Sequence, residues 1–451
     1  MKTNQSFFHM VCSLAIPVAL QSMLQSSFSI VDQIMIGQLG SVSIAGVGLA
    51  GKFASIFSVV VSAAGAVAGI MISQYLGQKN RAEIRRSFFM NLLLALGIAA
   101  IFALVCLVFP EPVMGLYTQD AVTKKAAAEY LQIMAGTFLP MAGATLLSTL
   151  FRCMERAKLP LYASIAAALL NTAFNYILIF GKLGFAPMGE KGAAIATVIA
   201  QCANFFLMLL MLLGKDSLFG REEKERQEKQ RFNWKQYGAM LLPILVCEVA
   251  WSLGENVYAS IYGHMGTRES AAMTLINPVQ GLTIGALCGL SQAAGVLIGK
   301  KLGNKEYEEA YRDSLRLLLY GMAGAAVLSV IVVLTSPLYV QLYQVEAGVK
   351  EITRQILIAY ALVAPFKVLN MILGGGIIRS GGKTKYVMFI DLLGTWGFGV
   401  PLGLLAAFVW KLEIPYVYFL LSLEECIRFG ISMVVFRKKS WMQSLDAYME
   451  T

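Results

Sequence analysis

Apolar runs separated by short polar breaks recur along the whole chain. A membrane-crossing helix needs roughly 20 largely apolar residues. Such runs lie near 12–36, 42–74, 87–109, 126–151, 159–180, 192–213, 236–262, 270–299, 315–335, 352–378, 385–410 and 414–436. The pattern predicts an all-α polytopic membrane protein with about twelve transmembrane helices. The first run holds Gln, Ser, Pro and Asp, and no small-residue cleavage site follows it, so it is unlike a secretory signal peptide.

The runs fall into two similar sets. Residues 16 to 87 return about 226 positions later: Ile16-Pro17 corresponds to Leu242-Pro243, and Gly37, Gly40 and Ala45 to Gly263, Gly266 and Ala271. Gly69, Leu76-Gly77, Lys79 and Arg86 then meet Gly295, Leu302-Gly303, Lys305 and Arg312. With slips of one residue the match continues through Pro110 and Pro337, Pro140 and Pro365, Arg152 and Arg379, Lys158 and Lys385. Duplicated halves are how many secondary transporters are built. An even number of spans per half makes the repeats parallel. The predicted organisation is an amino-terminal six-helix bundle (1–213), a hydrophilic linker (214–235) containing the mixed-charge run 221–231, and a carboxy-terminal six-helix bundle with a short tail (236–451).

Composition agrees: 57% of residues are hydrophobic and 14% charged. Taking the loops alternately, one set carries Lys2, Lys79/Arg81/Arg85/Arg86, Arg152/Arg156/Lys158, the linker, Lys300/Lys301/Lys305/Arg312, Arg379/Lys383/Lys385 and Arg437/Lys438/Lys439. The other holds only Lys124, Lys125, Lys182, Lys191, Arg268, Lys350, Arg354 and Lys411. Basic loops stay cytoplasmic, so both termini are expected inside a cytoplasmic (cell) membrane. The net charge of +10 is this rim facing anionic lipid, and needs no nucleic-acid partner.

Charged side chains in mid-bilayer cost roughly 2.5–3.5 kcal/mol, so each needs a partner or a task. Gln21, Gln25 and Asp32 fall within about 40° on the first span, making one polar stripe one turn beyond Pro17. A water-accessible cavity is the favoured reading, with a carboxylate bonded to a neighbouring helix as the alternative. Asn171 and Asn175 share a face of the fifth span, where interhelical hydrogen bonding explains them equally well. Glu248, Trp251 and Glu255 form a stripe on the seventh span, whose two carboxylates would share a proton or a cation. Lys367 and Asn370 follow Pro365 in the tenth span, and Asp391 lies in the eleventh. A pair between Lys367 and one of these carboxylates is the cheapest way to bury the ammonium. Glu424, Glu425 and Arg428 have the spacing to pair within the last helix.

Seven scattered cysteines read as small apolar side chains, and His9 and His264 lack partners at metal-ligand spacing. Gly65-x-x-x-Gly69 and Gly374-Gly375-Gly376 read as close helix contacts. No phosphate-binding loop or catalytic triad is present, which excludes a nucleotide-driven pump and leaves no sign of an enzyme.

Several motifs carry a family resemblance. They are Pro17…Gln21…Gln25…Val31-Asp32-Gln33-Ile34-Met35-Ile36-Gly37-Gln38-Leu39-Gly40, Asn171…Asn175-Tyr-Ile-Leu-Ile-Phe-Gly181, Gly192-Ala-Ala-Ile-Ala-Thr197, Gly376-Ile-Ile-Arg379-Ser-Gly-Gly382 and Trp396…Pro401-Leu402-Gly403. Over essentially the whole chain the sequence resembles the MATE (multidrug and toxic compound extrusion) antiporters of bacterial type. The resemblance implies a V-shaped pair of six-helix bundles that exports organic cations in exchange for Na⁺ or H⁺. Asp32 occupies the acidic first-helix position tied to cation coupling, and Asn171 matches a fifth-helix polar position. Asn175 stands where one branch has Asp, which weakens a purely proton-driven mechanism. The seventh-helix acid aligns nearer Trp251, and the tenth-helix acid is replaced near Lys367, so the second-half ion site does not carry over intact.

The expected cation-coupling set is therefore Asp32, Asn171, Asn175 and Gln25, with Na⁺ possible at Asp32. The expected substrate cavity draws on Gln21, Glu248, Trp251, Glu255, Lys367, Asn370 and Asp391, with Lys367 as a counter-cation to Glu248 or Glu255. No cofactor is expected beyond the coupling ion. The partners are small amphipathic cations and membrane lipids, with the protein acting as a monomer. The alternative is a lipid or lipid-linked saccharide flippase, which Lys52 and Lys367 keep open.

Overall fold

The computed structural model describes residues 2–214, 233–343 and 345–445. The predicted linker thus lies almost wholly outside the described residues. The helices are α1 (Lys2–Gly37), α2 (Ser41–Gly77), α3 (Arg81–Val108), α4 (Pro110–Gly115), α5 (Ala121–Cys153), α6 (Lys158–Phe180), α7 (Glu190–Leu212), α8 (Trp234–Met265), α9 (Thr267–Gly303) and α10 (Tyr307–Gln341). They continue with α11 (Ala347–Asn370), α12 (Thr384–Leu392), α13 (Val400–Leu404), α14 (Ile414–Ser422) and α15 (Glu424–Arg437). Eleven helices among the described residues are long and apolar enough to cross a membrane. The predicted run 414–436 is instead divided at Leu423 into α14 and α15.

Side-chain caps start several of the helices. Asn80 Oδ1 accepts from Glu83 N at 3.1 Å, and Asn233 Oδ1 from Gln236 N at 3.0 Å. Asp120 Oδ2 accepts from Thr123 N at 2.8 Å, and the bonds from Thr123 hold that carboxyl below its ordinary range.

Three wide, π-type segments interrupt the late helices: Met371–Ile378 after α11, Leu393–Gly399 after α12 and Leu405–Val409 after α13. Such turns displace a carbonyl from its usual partner and cluster at functional sites. At the first of them Ser291 Oγ donates to the Met371 carbonyl at 2.6 Å, and at the second Trp396 Nε1 donates to the Ala250 carbonyl at 3.1 Å.

By internal contacts the chain forms two compact units, one of Leu20–Ile72 with Lys79–Phe232, the other of Met1–Ala19, Ser73–Gln78 and Asn233–Thr451. The short pieces 1–19 and 73–78 therefore group with the carboxyl half. In the first unit Phe57, Phe102 and Phe138 pack ring against ring, with Phe57 and Phe138 centroids 4.6 Å apart. Gly65 and Gly69 both face Thr149 of α5, the close contact expected of that motif.

The repeat is visible in the second unit. Gly77 lies against the Lys300 carbonyl, and Gly303 against the Gln74 carbonyl. Repeat-equivalent positions thus exchange places in one helix crossing, which is locally two-fold. The equivalent Ser73 and Gly299 meet at its centre. Lys79 and Lys305, also equivalent, share a left-handed backbone with φ of 56° and 63°. A methyl at Gly303 would strike backbone rather than a movable side chain. Gly303→Ala is therefore expected to cost about 1–3 kcal/mol, read as a lower unfolding midpoint in detergent. Gly263→Ala, which meets nothing within 4 Å, serves as the control that keeps the wild-type midpoint.

The tail beyond α15 is packed into the same unit. Trp441 is fully buried, stacks on Phe436 at 5.6 Å and donates its indole N–H to the Phe436 carbonyl at 3.1 Å. Gln74 accepts from Leu445 N at 2.8 Å and donates to the Ser380 carbonyl at 2.7 Å.

Candidate functional site

Two groups of polar side chains stand out, one in each unit. The first joins α1 to α6. Gln21 Nε2 donates to Ser164 Oγ at 2.8 Å, and farther along Asn175 Nδ2 donates to Asp32 Oδ1 at 2.7 Å. Ser164, Asn171 and Asn175 fall within about 40° on α6, so two polar stripes face each other. Gln25 is exposed and makes no hydrogen bond among the described residues. The bonded carboxylate is the alternative that sequence ranked second, and Asp32 is nonetheless only half-buried.

The Asn171 amide can face Asp32 in either of two ways. With nitrogen inward it donates to Asp32 Oδ1 at 2.8 Å and Oδ2 at 3.1 Å, which suits an ionised carboxylate. With oxygen inward it accepts from Asn175 Nδ2 at 3.1 Å and presents an acceptor to a protonated Asp32. Thr197 Oγ1 on α7 lies 3.4 Å from the far end of the same amide. Asn175 Oδ1 is buried and accepts no hydrogen bond among the described residues. Asp32 thus supplies the hard oxygens, the kind that an alkali cation or a proton uses, while Asn175 turns its Nδ2 toward it and Thr197 Oγ1 lies across Asn171. Thr197, on the Gly192–Thr197 motif, was not among the expected site residues.

The second group lies in the carboxyl half, where two cavities share a wall formed by Lys367 and Glu425. One, of about 330 Å³, is lined by Glu248, Trp251, Asn370, Arg379, Asp391 and Arg428. The other, of about 260 Å³, is lined by Glu255, Tyr258, Tyr262, Tyr360, Tyr418 and Glu424. Glu248 and Glu255, expected to share a proton or a cation, thus face different cavities. Seven residues, about 10 Å along the helix axis, separate them.

Most charges here are paired. Arg379 Nη1 stands 3.5 Å from Glu248 Oε1, although Arg379 had been assigned to the basic rim. Arg428 contacts both Asp391 and, at 3.6 Å, Glu425. Cys247 Sγ donates to Asp391 Oδ2 at 2.5 Å. Asn370 Nδ2 donates to the Glu425 carbonyl at 2.7 Å and to Oε2 at 2.8 Å, and Tyr258 Oη donates to Glu424 Oε2 at 2.7 Å. The expected partnership of Lys367 with Glu248, Glu255 or Asp391 is absent: no carboxylate lies within ion-pair distance of Lys367 among the described residues. The reason is geometric, since Arg379 and Arg428 reach Glu248 and Asp391 first. Lys52 is exposed on α2.

Sequence reasoning missed Glu424, Glu425, Arg428 and Arg379 as members of this cluster. The break at Leu423 aims the acids inward, and the π segment before Arg379 redirects it. Gly394 and Gly399 of the next π segment make room for the cluster, because a methyl on either would overlap Arg428 or the Tyr258–Glu424 bond. The run Gly374–Gly376 behaves as expected, with Gly376 against the Ser291 carbonyl and Ala294.

A family model, MatE, matches the chain twice, over residues 17–177 and 243–405. The chain belongs to the MatE family. The second match begins at Pro243, opposite Pro17, where the internal repeat places it. MatE proteins are membrane transporters, and this chain is a multi-pass transporter rather than an enzyme. Among curated relatives it is 24% identical to the "uncharacterized transporter YisQ" of Bacillus subtilis, covering 96% of this chain and 94% of that protein. It is 24% identical to a "probable multidrug resistance protein NorM" of Agrobacterium fabrum, covering 91% and 88%. Among solved structures, a variant of the Vibrio cholerae MATE transporter VcmN superposes with a TM-score of 0.88 at 17% identity, covering 98% of this chain and 100% of that one. A MATE protein in complex with MaL6 gives 0.87 at 16% identity, covering 96% of each. These superpositions establish the MATE fold.

Proposed function

We propose that this MatE protein is a secondary antiporter that exports amphipathic organic cations across the cell membrane in exchange for Na⁺ or H⁺. The observation that carries the reading is the α1–α6 site, where the half-buried Asp32 carboxylate of one membrane-spanning helix meets the Asn175 amide of another at 2.7 Å. The names of relatives such as the Agrobacterium fabrum and Thermotoga maritima NorM proteins support multidrug export and lend nothing to the flippase alternative.

In the proposed cycle, Na⁺ or a proton neutralises Asp32. Na⁺ would draw on the Asp32 carboxylate, and a proton would sit on it. Either event changes the charge of the α1–α6 site, and export is coupled to that change. Residues of the carboxyl-half cavities would hold the substrate, the tyrosines supplying flat faces for a cation. Both termini would lie in the cytoplasm, and the protein would act as a monomer.

The test is reconstitution in liposomes with a Na⁺ gradient or a pH gradient imposed separately, following efflux of a fluorescent organic cation. Efflux driven by at least one gradient is expected. Efflux that ignores both would overturn the antiport.

A further inference from the structure

Beyond α15 the chain turns back at Lys439, where φ is 55°, and Trp441, Ser444 and Leu445 are buried. Two kinds of contact hold this tail. Trp441 is fixed by packing: it stacks on Phe436, which stacks in turn on Tyr311 at 4.8 Å, and Gly381 leaves room for the Trp441 carbonyl. The tip, 443–445, is gripped by glutamine amides instead. Gln74 of α2 is fully buried; it accepts from Leu445 N at 2.8 Å and donates to the Gln443 carbonyl at 3.3 Å. Gln78, one turn on, donates to Ser444 Oγ at 3.4 Å, and Gln236 of α8 donates to the Leu445 carbonyl at 3.2 Å. Such bonds exchange for bonds to water at little net change, whereas a stacked, buried indole holds its place. The tail is thus anchored at Trp441 and detachable at its tip. The repeat supplies no second grip of this kind, because the counterpart of Gln74 is Lys300.

By sequence α2 belongs to the first repeat, yet its last turn crosses α9 of the second through small residues, Ser73 against Gly299 and Gly77 against the Lys300 carbonyl. Small residues let two backbones approach closely and interlock few side chains that would resist their parting. A transporter built of two repeats works by rocking one against the other, which draws this end of α2 away from α9 once in each cycle. Gln74 and Gln78 must then let go of the tail. We infer that 443–445 is a latch: bound to α2 it holds this crossing closed, and its release accompanies the opening of that membrane face. Trp441 keeps the released tip close to its site, so rebinding is an intramolecular step at high effective concentration. This inference rests on the transporter reading and adds to it a device that governs which face is open.

The test uses the full-length protein in liposomes with a fluorescent organic cation. In Gln78→Cys/Ser444→Cys a short bifunctional methanethiosulfonate is expected to bridge the tip to α2 and lower efflux at least about tenfold, as blocking an obligatory conformational step does. Dithiothreitol should restore the rate, and treated wild type should keep it. Full efflux by the bridged protein, with the bridge verified by mass spectrometry, overturns the latch, because the tip then never leaves α2. Ser444→Cys alone gives a second reading that needs no bridge. Its modification by N-ethylmaleimide, followed on the peptide by mass spectrometry, should be at least about tenfold faster during turnover than at rest, since labelling reports local opening. Equal rates overturn the latch as well. Labelling is also read during substrate exchange without a gradient. Efflux that ignores both gradients would sink the antiport, while labelling that still follows exchange would leave the latch standing.

Discussion

Asp32→Asn is expected to remove gradient-driven efflux almost completely, by roughly a hundredfold, the upper end of ordinary coupling energies of 1–3 kcal/mol. The substitution keeps shape and most of the hydrogen bonding. An Asn oxygen at the Asp32 Oδ1 position still accepts from Asn175 Nδ2, now 2.7 Å away. What it removes is the charge, and with it the ability to take a proton or to add a full negative charge to an oxygen set for Na⁺. The variant should therefore purify and unfold like the wild type while substrate exchange without a gradient continues. Asn175→Ala should produce a smaller loss, because it deletes one donor and the unpartnered Oδ1 but leaves the carboxylate. Normal gradient-driven efflux by Asp32→Asn would refute the role assigned to the α1–α6 site.

Arg428→Met is expected to produce the largest loss of stability, about 3–5 kcal/mol, the usual consequence of stripping one partner from a buried ion pair. The Arg428 side chain is 13% exposed, and its partners Asp391 and Glu425 are 18% and 8% exposed. Removing it leaves two carboxylates close together without a cation, and Lys367 has no direct contact with either. The loss should appear as a lower midpoint in denaturant titrations of the micelle-bound protein. Neutralising the partners as well, in Arg428→Met/Asp391→Asn/Glu425→Gln, should restore most of it, because paired deletion removes the unmet charge along with the arginine. If the single substitution left the midpoint unchanged, the pairing seen here would contribute little.

The two halves differ in how far sequence reasoning could go. In the amino-terminal half the polar residues keep helical spacing on single uninterrupted helices. Gln21 and Asp32 on α1, and Asn171 and Asn175 on α6, therefore projected onto faces that do meet. Thr197 escaped notice because a lone threonine in an apolar helix has no distinguishing spacing. In the carboxyl half the spacing rule failed at the three π segments and at the Leu423 break. Each shifts the angular phase of the helical residues after it. Arg379 therefore turned inward from a supposed rim, and Glu424 and Glu425 became cavity walls rather than a local helix pair.

Sequence alone determined what depends on local and periodic physics. Long apolar runs need a membrane, and a repeat recurring about 226 residues later needs two equivalent scaffolds. That equivalence persists down to the matched backbone of Lys79 and Lys305 and the reciprocal contacts of Gly77 and Gly303. Only the tertiary structure decided which charges meet. Pairing depends on distances across helices whose phase and tilt no single helix encodes. Asp32 and its repeat counterpart Tyr258 illustrate the outcome: the first is a carboxylate bonded to an amide, the second a phenol bonded to the Glu424 carboxylate. The duplicated scaffold came from the chain's periodicity. The choice of Arg379 for Glu248 and Arg428 for Asp391 came from packing.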